Sequence, residues 1–507
     1  MRVTIQPSEL VEGGARLRQA QPTGAQNRNR PQITMQKNNK TVNIKTSTAS
    51  PAINQTAILI GLMAPSIMSG LYGGMFSVAV PAIRDDLGIQ ADMAAWVTTM
   101  YTLPFMMFMP LYGRLGDVFG KRQLFLIGTI IFMLGTALAG SAPNLGWLMA
   151  GRAIQGFGTA GFVPLALTMI TQLFPADQRG KLMGTWNLAY PITGIFGPLL
   201  SGMLIDDWGW RAIFWPVLII GVVAYWVASH QIPTTNHDTA PALSPTEFIR
   251  RFDWGGVILL GLMSTALLFY ASSRPITGVP ALQDWRLLLL TIALFSGFIL
   301  WERRQQNPFV PLALYTSNTF TLSSVCAGLR MFTMAGLRFL SALYLVDIHD
   351  QSAYVTGLVI MAHAIPLVLF LRIGGQLADR WGSRWPVVIS MVAQAAALFY
   401  LAWLPAESSV WMVAAGVVGQ SLGASLSLAA LHRSSIMDVP QEQMGVAAGL
   451  YSMMRFAGMV FGTALSGVVL QMGLDRGLPT LDAYQIAFGF VAVVTLLGAF
   501  LGSRLRG

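Results

Sequence analysis

The stretch Gly113-Arg-Leu-Gly-Asp117-Val-Phe-Gly120-Lys-Arg122 decides the architecture, because it returns 262 positions later as Gly375-Gln-Leu-Ala-Asp379-Arg-Trp-Gly382-Ser-Arg384. Gly, Leu, Asp, Gly and Arg recur in the same register. Each copy is a short polar turn between two long apolar runs. A unit repeated in the same context marks an internal duplication.

The apolar runs set the class. Hydrophobic residues make up 54% of the 507 residues and charged residues only 11%. A water-facing surface needs about 25% charged residues, so lipid must cover most of this chain. A helix needs roughly 20 mostly apolar residues to cross hydrocarbon. Runs of that kind follow one another from about residue 57 to 503, and their number predicts fourteen crossings. The weakest are 254–272 and 285–301, short but flanked by charges. The offset between the repeated turns corresponds to about eight spans. Two six-helix bundles plus a two-helix insert account for it. The expected fold is an all-α polytopic membrane protein, divided into a disordered basic tail over 1–56, a bundle over 57–230, a linker with two inserted helices over 231–317, and a second bundle over 318–507.

The net charge of +10 suits either nucleic acid or a membrane. Placement favours the membrane. With the N-terminus cytoplasmic, 22 of the 32 Lys and Arg fall in inside loops and tails and five outside, at Arg84, Arg211, Arg274, Arg286 and Arg476. That is the positive-inside bias, and an even number of crossings puts both termini on the cytoplasmic side of a cell membrane. The tail reads as a topology-setting disordered segment or as a surface for anionic lipid. The single cysteine, Cys326, lies in an apolar run and makes no thiolate metal cluster. No metal-ligand spacing, nucleophile elbow or phosphate loop points to an enzyme, a metal or a cofactor.

The chain resembles the major facilitator superfamily over about 57–503. The turn Gly113 to Arg122 looks like its loop signature. Arg152-Ala-Ile-Gln155-Gly156-Phe-Gly158 resembles its Arg-x-x-Gln-Gly-x-Gly motif, and Gly197-Pro198-Leu-Leu-Ser201-Gly202 its antiporter motif with Ser for one Gly. Trp96-Val-x-Thr-x-Tyr101 also fits. Fourteen spans point to the drug:proton antiporter branch of EmrB/QacA type. The resemblance implies multidrug-type efflux of small amphipathic molecules by alternating access, coupled to protons. It makes Gly113, Asp117, Gly120, Arg122, Gly375, Asp379, Gly382 and Arg384 a conformational latch. A plainer reading of Asp117 is a cap on the third span. The Gly197–Gly202 motif reads as a seal against leak or as close packing. A periplasmic adaptor would suit the branch, although no residue encodes one.

Ionisable groups inside a bilayer are costly and usually functional. Arg152, Arg330, Arg338, Arg372, Arg455 and His363 are expected within spans, with Arg372 near an interface. Arg330, Met334 and Arg338 fall on one helix face. All acidic residues are expected at span ends or in loops. The branch usually carries an Asp in the first span; here that position is Tyr72. Such a cavity favours anionic or neutral substrates over organic cations. His363 is the candidate proton carrier or, alternatively, a packing residue beside Pro366. Trp96 and Tyr344 are candidate stacking groups or belt aromatics, and Tyr101 is a further candidate residue of the substrate or proton cavity, as are Arg330, Met334, Arg338 and Arg455. The competing readings are a transporter dedicated to an organic anion or lipid, and a non-transporting membrane sensor.

Overall fold

The computed structural model describes residues 55–187, 189–234, 247, 250, 252–272, 278–279, 282–306, 308–440 and 443–506. The tail expected over 1–56 lies outside the described residues except for its last two positions. The first part of the chain forms α1 (Gln55–Asp86), α2 (Ala91–Phe119), α3 (Lys121–Gly140), α4 (Leu145–Thr159), α5 (Phe162–Leu173), α6 (Ala176–Asn187), α7 (Ala189–Trp208) and α8 (Phe214–Gln231). An inserted hairpin follows, α9 (Trp254–Ser272) and α10 (Trp285–Arg304). The last part forms α11 (Asn318–Asp347), α12 (Ala353–Leu369), α13 (Leu371–Trp381), α14 (Arg384–Ala402), α15 (Val410–Met437), α16 (Met444–Asp475) and α17 (Thr480–Gly502).

Local chemistry sets the helix boundaries. The repeated turns break at Gly120 with φ 84° and Gly382 with φ 70°, a region that costs a side chain about 1–2 kcal/mol. Asn144 caps α4 by accepting from Trp147 N at 3.2 Å. Asp284 does the same for α10, as do Ser317 for α11 and Ser352 for α12. The α12–α13 pair bends by 41° at a break centred on Phe370, four residues past Pro366.

Twelve helical segments among the described residues are long and apolar enough to cross a membrane, with α4–α5 and α6–α7 counted as one each; the bent pair α12–α13 makes thirteen. Both inserted helices pass, although they were the weakest runs in the sequence. Helix α2 has 29 residues, ample length, but is not among the segments that pass. Thr, Tyr and Pro dilute its hydropathy.

The outward surface is apolar at mid-helix, as at Ile219 (66% exposed) and Val493 (60%), with Trp208, Trp403 and Trp411 exposed at helix ends on one side and Trp381 and Trp385 on the other. Exposed aliphatics between exposed tryptophans are what a lipid-facing belt requires.

The packing has the pattern that exchanging two related halves produces. α1 packs on α7 where Gly74 faces Gly197 and Pro198, and α11 packs on α16 where Gly328 faces Gly458. α3 packs on α4 through Gly128 and Gly158, as α14 packs on α15 around Gly423 and Gln394. The halves meet along two reciprocal seams. In one, α2 meets α16 near Ala91, Ala95 and Gly467; in the other, α7 meets α12 near Gly202 and Ala353. Small residues matter here because association in lipid depends on close packing rather than on hydrophobic exclusion. The insert lies beside the α2–α16 seam and touches both halves, α9 packing on α2 and α16, with Trp96 of α2 5.0 Å from Phe269 of α9.

Candidate functional site

Both repeated turns lie at one end of the bundle, called here the signature end; Arg84 and Asp347 lie at the far end. At the far end the halves are fastened. Arg84 Nη1 and Nη2 donate to the Asp347 carboxylate at 2.7 and 2.6 Å, and the Tyr484 hydroxyl donates to the same carboxylate at 2.5 Å. The side chains of Arg84 and Asp347 are only 16% and 17% exposed. Removing one partner would therefore strand a largely desolvated charge. Asp206, near the end of α7, accepts from the α12 amides of Ala353 and Tyr354 at 2.9 and 3.0 Å, a carboxylate on a helix N-terminus. Gln471 of α16 accepts from Ala91 N of α2 at 3.1 Å.

Among the described residues, the signature-end ion pairs of Asp117 and Asp379 stay within a half. Asp117 accepts from Lys121 at 2.7 Å. Arg122 donates to Ile232 O and Ser229 O at 2.7 and 2.5 Å, tying α3 to the last turn of α8. Asp379 lies 3.7 Å from Arg433, and Arg384 sits over the Trp385 ring. Gly113 and Gly375 have no neighbours at the position a side chain would fill. The turns expected to form a latch are present and shaped alike, and their ionic contacts bind each to its own half.

Arg152 is 3% exposed. Its guanidinium lies over the rings of Phe76, Tyr101 and Tyr72 at 3.7, 4.7 and 5.3 Å. Nη1 donates to Gln155 Oε1 at 3.2 Å and Nε to Val97 O at 3.3 Å. Gln155 in turn donates to Thr136 at 2.9 Å. Aromatic faces replace the carboxylate that a buried cation usually needs, each contributing up to about 2 kcal/mol when desolvated. Tyr72 thus fills both the place and part of the electrostatic role of an acid.

The second half gathers the remaining charges. Arg330 is 4% exposed and donates from Nε to Ala424 O at 2.9 Å. Met334 is buried beside it on α11. Arg338 is half-buried, and its Nε has no acceptor among the described residues. Arg455 lies 5.9 and 6.0 Å from the Tyr451 and Phe456 rings. Arg330 and Arg455 are near enough to repel each other and His432, whose ring stands edge-on to Tyr451 at 5.0 Å. His363 Nε2 lies 2.9 Å from Gln420 Oε1. A carbonyl oxygen only accepts, so Nε2 carries the proton. The chain continues from Gln420 to Gln394 at 2.9 Å, to Ser390 at 3.0 Å and to Ser427 at 2.7 Å.

Two expected aromatic lining residues lie apart from these arginines. Trp96 packs on the insert, and Tyr344 sits in a far-end cluster with Tyr484 and Phe488 at 5.3 and 5.7 Å. Tyr101 belongs to the Arg152 cage. Gly156 brings α4 onto the Tyr101 carbonyl, and Pro198 meets Gly357 of α12 across the seam between halves. The Gly197–Gly202 stretch therefore lines that seam.

The family model for the Major Facilitator Superfamily matches residues 62–339 and 323–506. The chain belongs to the Major Facilitator Superfamily. Two overlapping matches agree with a duplicated chain. Among its relatives, multidrug resistance protein Stp of Mycobacterium tuberculosis (strain CDC 1551 / Oshkosh) is 28% identical over 405 residues, 79% of this chain and 73% of the relative. The tetracenomycin C resistance and export protein of Streptomyces glaucescens is 28% identical over 418 residues, 82% of this chain and 75% of the relative. A POT family transporter solved in complex with 5-aminolevulinic acid superposes with TM-score 0.69 at 13% identity, covering 87% of this chain and 95% of that one, a likeness of fold alone.

As a Major Facilitator Superfamily transporter, the protein also carries features that its motifs did not reveal. The far-end cluster around Asp347 joins residues from three separate helices. Asp253 and Glu302 are buried at the foot of the insert, where Asp253 accepts from Gly256 N, Trp301 Nε1 and Phe309 N at 2.8, 2.7 and 3.1 Å. Arg114 of the loop signature is near enough to act on both acids. The expectation that every acid stands at a span end holds among the described residues, but these two are not solvated. The only signal in the sequence was their position beside short, weak spans.

Proposed function

We propose that the protein exports amphipathic small molecules by alternating access, the far end and the signature end opening in turn to opposite sides of the plasma membrane. The observation that carries this reading is the asymmetry between the ends. Arg84, Asp347, Tyr484 and Asp206 fasten the halves at the far end, while the ionic contacts of the signature turns stay within each half. A state closed at one end is half of an alternating cycle. The resistance and export proteins among the relatives support efflux as its direction. On this reading α2 is the remaining crossing, giving fourteen, and both termini are cytoplasmic. The branch is that of the fourteen-span drug:proton antiporters.

Coupling to protons belongs to the same reading, with a restriction. Tyr72 holds no proton to exchange on α1 near neutral pH, and the described spans carry no mid-span carboxylate. His363 is the buried imidazole of the described spans, held through Nε2 by Gln420. The test is efflux from proteoliposomes under an imposed pH gradient, with His363→Gln alongside wild type. Gradient-driven efflux that His363→Gln uncouples supports the reading. Efflux with an unchanged gradient dependence removes His363 as carrier, and no movement of any amphiphile removes export.

A further inference from the structure

The second half carries more positive charge than its own residues neutralise. Arg330, Arg338 and Arg455 lie within α11 and α16, and His363 and His432 within α12 and α15. The described acids of that half stand at the ends of elements: Asp347, Asp350, Asp379, Glu407, Asp438, Asp475 and Asp482. Arg330 is satisfied by a backbone carbonyl. Arg338 Nε has no acceptor among the described residues, and Arg455 has the Tyr451 and Phe456 rings near it at 5.9 and 6.0 Å but no described acid. An arginine stays charged in any such setting, and like charges held close in a low dielectric raise the energy of the empty site. Solvent nevertheless reaches these groups. Arg455 is half-buried and His432 is exposed, although each lies inside a helix of the bundle, and the two flank the Tyr451 ring at 5.9 and 5.0 Å. What reaches them from the accessible side meets an unneutralised field.

The facing wall is different. Phe105 of α2 meets Phe456 at 4.6 Å, edge to face, and Phe108 meets Phe157 at 4.7 Å. The one cation there, Arg152, is enclosed by rings. Aromatic side chains offer large apolar faces to bodies of varied shape. The space thus has an apolar side on the first half and a cationic side on the second.

We propose that Arg455 and His432, on either side of Tyr451, form an anion-recognising subsite, so that the preferred cargo is an amphiphile bearing a carboxylate, sulfonate or phenolate. The head group seats on the second half and the apolar body on the first. This rests on the export reading above. Guanidinium groups suit such oxyanions because they donate in a planar fork. Arg330, anchored to Ala424, is a positioning residue that holds the field in place.

The test uses three probes sharing one apolar body: pyrenebutyrate, pyrenebutanol and pyrenebutyl-trimethylammonium. Efflux from zwitterionic phosphatidylcholine vesicles is measured together with saturable binding to purified full-length protein, for wild type, His432→Gln and Arg455→Gln. The expected result is preference for pyrenebutyrate, with each variant binding it about tenfold more weakly, the scale of one lost charge-assisted bond, while pyrenebutanol binding is unchanged. Equal handling of all three probes overturns the subsite and leaves export standing. Saturable anion binding that the variants weaken, without movement of any probe, supports the subsite and overturns export. If phosphatidylglycerol in the vesicles displaces pyrenebutyrate competitively, and no probe moves, the ligand is a lipid head group and the cargo assignment fails.

Discussion

Arg84 and Asp347 hold each other through two hydrogen bonds of 2.7 and 2.6 Å, and they stand 263 residues apart in a chain whose signature turn recurs after 262. They are near-equivalents in the two repeats, one basic and one acidic, at the ends of α1 and α11. Duplication brought the two helix ends together beside the seam between halves. Divergence gave them opposite charges. The Tyr484 hydroxyl completes the cluster at 2.5 Å.

Breaking this pair should loosen the far end. Arg84→Ala leaves Asp347 desolvated with one hydroxyl partner; fully buried pairs lose about 3–5 kcal/mol, and partial exposure reduces that to about 2 kcal/mol. The expected outcome is greater labelling of cysteines placed at the far end, with Asp347→Asn behaving alike. The charge exchange Arg84→Asp with Asp347→Arg should restore much of the protection. Labelling equal to wild type in both single variants would contradict the fastening role.

The α7–α12 seam gives a prediction of opposite sign for the two ends. A Cβ at Gly357 would overlap the Pro198 carbonyl. Gly357→Val should prop the halves apart at the far end and slow transport by about tenfold or more, since overpacking costs about 1–3 kcal/mol and acts on one state of the cycle. Cysteine accessibility should rise at the far end and fall at the signature end. Wild-type transport by this variant would show that α7 and α12 need not approach.

How much of this was legible in the sequence follows from the kinds of signal involved. The repeated turns gave the two halves, and composition gave the membrane. The short runs 254–272 and 285–301 gave the insert. Motif residues such as Arg152 and Gln155 were found because they sit at fixed spacings. Their surroundings were not: Tyr72, Phe76 and Tyr101 come from two other helices, and only packing shows that three rings enclose one guanidinium. Arg84 was visible as an exception to the positive-inside bias, but nothing local named Asp347 as its partner. Asp253 and Glu302 looked solvated because they flank spans, whereas the insert folds over them. Trp96 and Tyr344 looked like cavity aromatics because helical position alone does not say which face meets which neighbour.

The Arg152 cage should distinguish a planar cation from a point charge. Arg152→Lys keeps the charge and loses the delocalised plane and the fork to Gln155 and Val97. Stability in detergent should fall by about 1–2 kcal/mol, read as a lower Tm. Tyr72→Asp should place a carboxylate beside the guanidinium and make efflux more dependent on a pH gradient. No change in either measurement would mean that the rings pack around Arg152 without holding it.

His349, in the turn between α11 and α12, sets a pH limit on the far end. Its Nε2 is buried with no hydrogen-bond partner among the described residues, and burial holds the imidazole below its usual 6.5. The folded form therefore prefers the neutral ring. Its contribution is fully present above 6.5 and is lost as pH falls below that value, because the unfolded chain then binds the proton more readily. Tm should drop on acidification from about pH 7 to pH 5 by more in wild type than in His349→Gln. Parallel curves would exclude His349 from this dependence.

The central claim is that two related halves open at alternate ends, and a pair of distances measures it most directly. The native thiol, Cys326, is buried and can be replaced by Ser. Spin labels at Asp207→Cys with Glu407→Cys report the far end, and labels at Thr185→Cys with Ile436→Cys the signature end. In lipid nanodiscs, electron–electron double resonance without and with a transported amphiphile should show the two distances changing in opposite directions, one lengthening as the other shortens. Distances that stay fixed, or that lengthen together, would contradict alternating access.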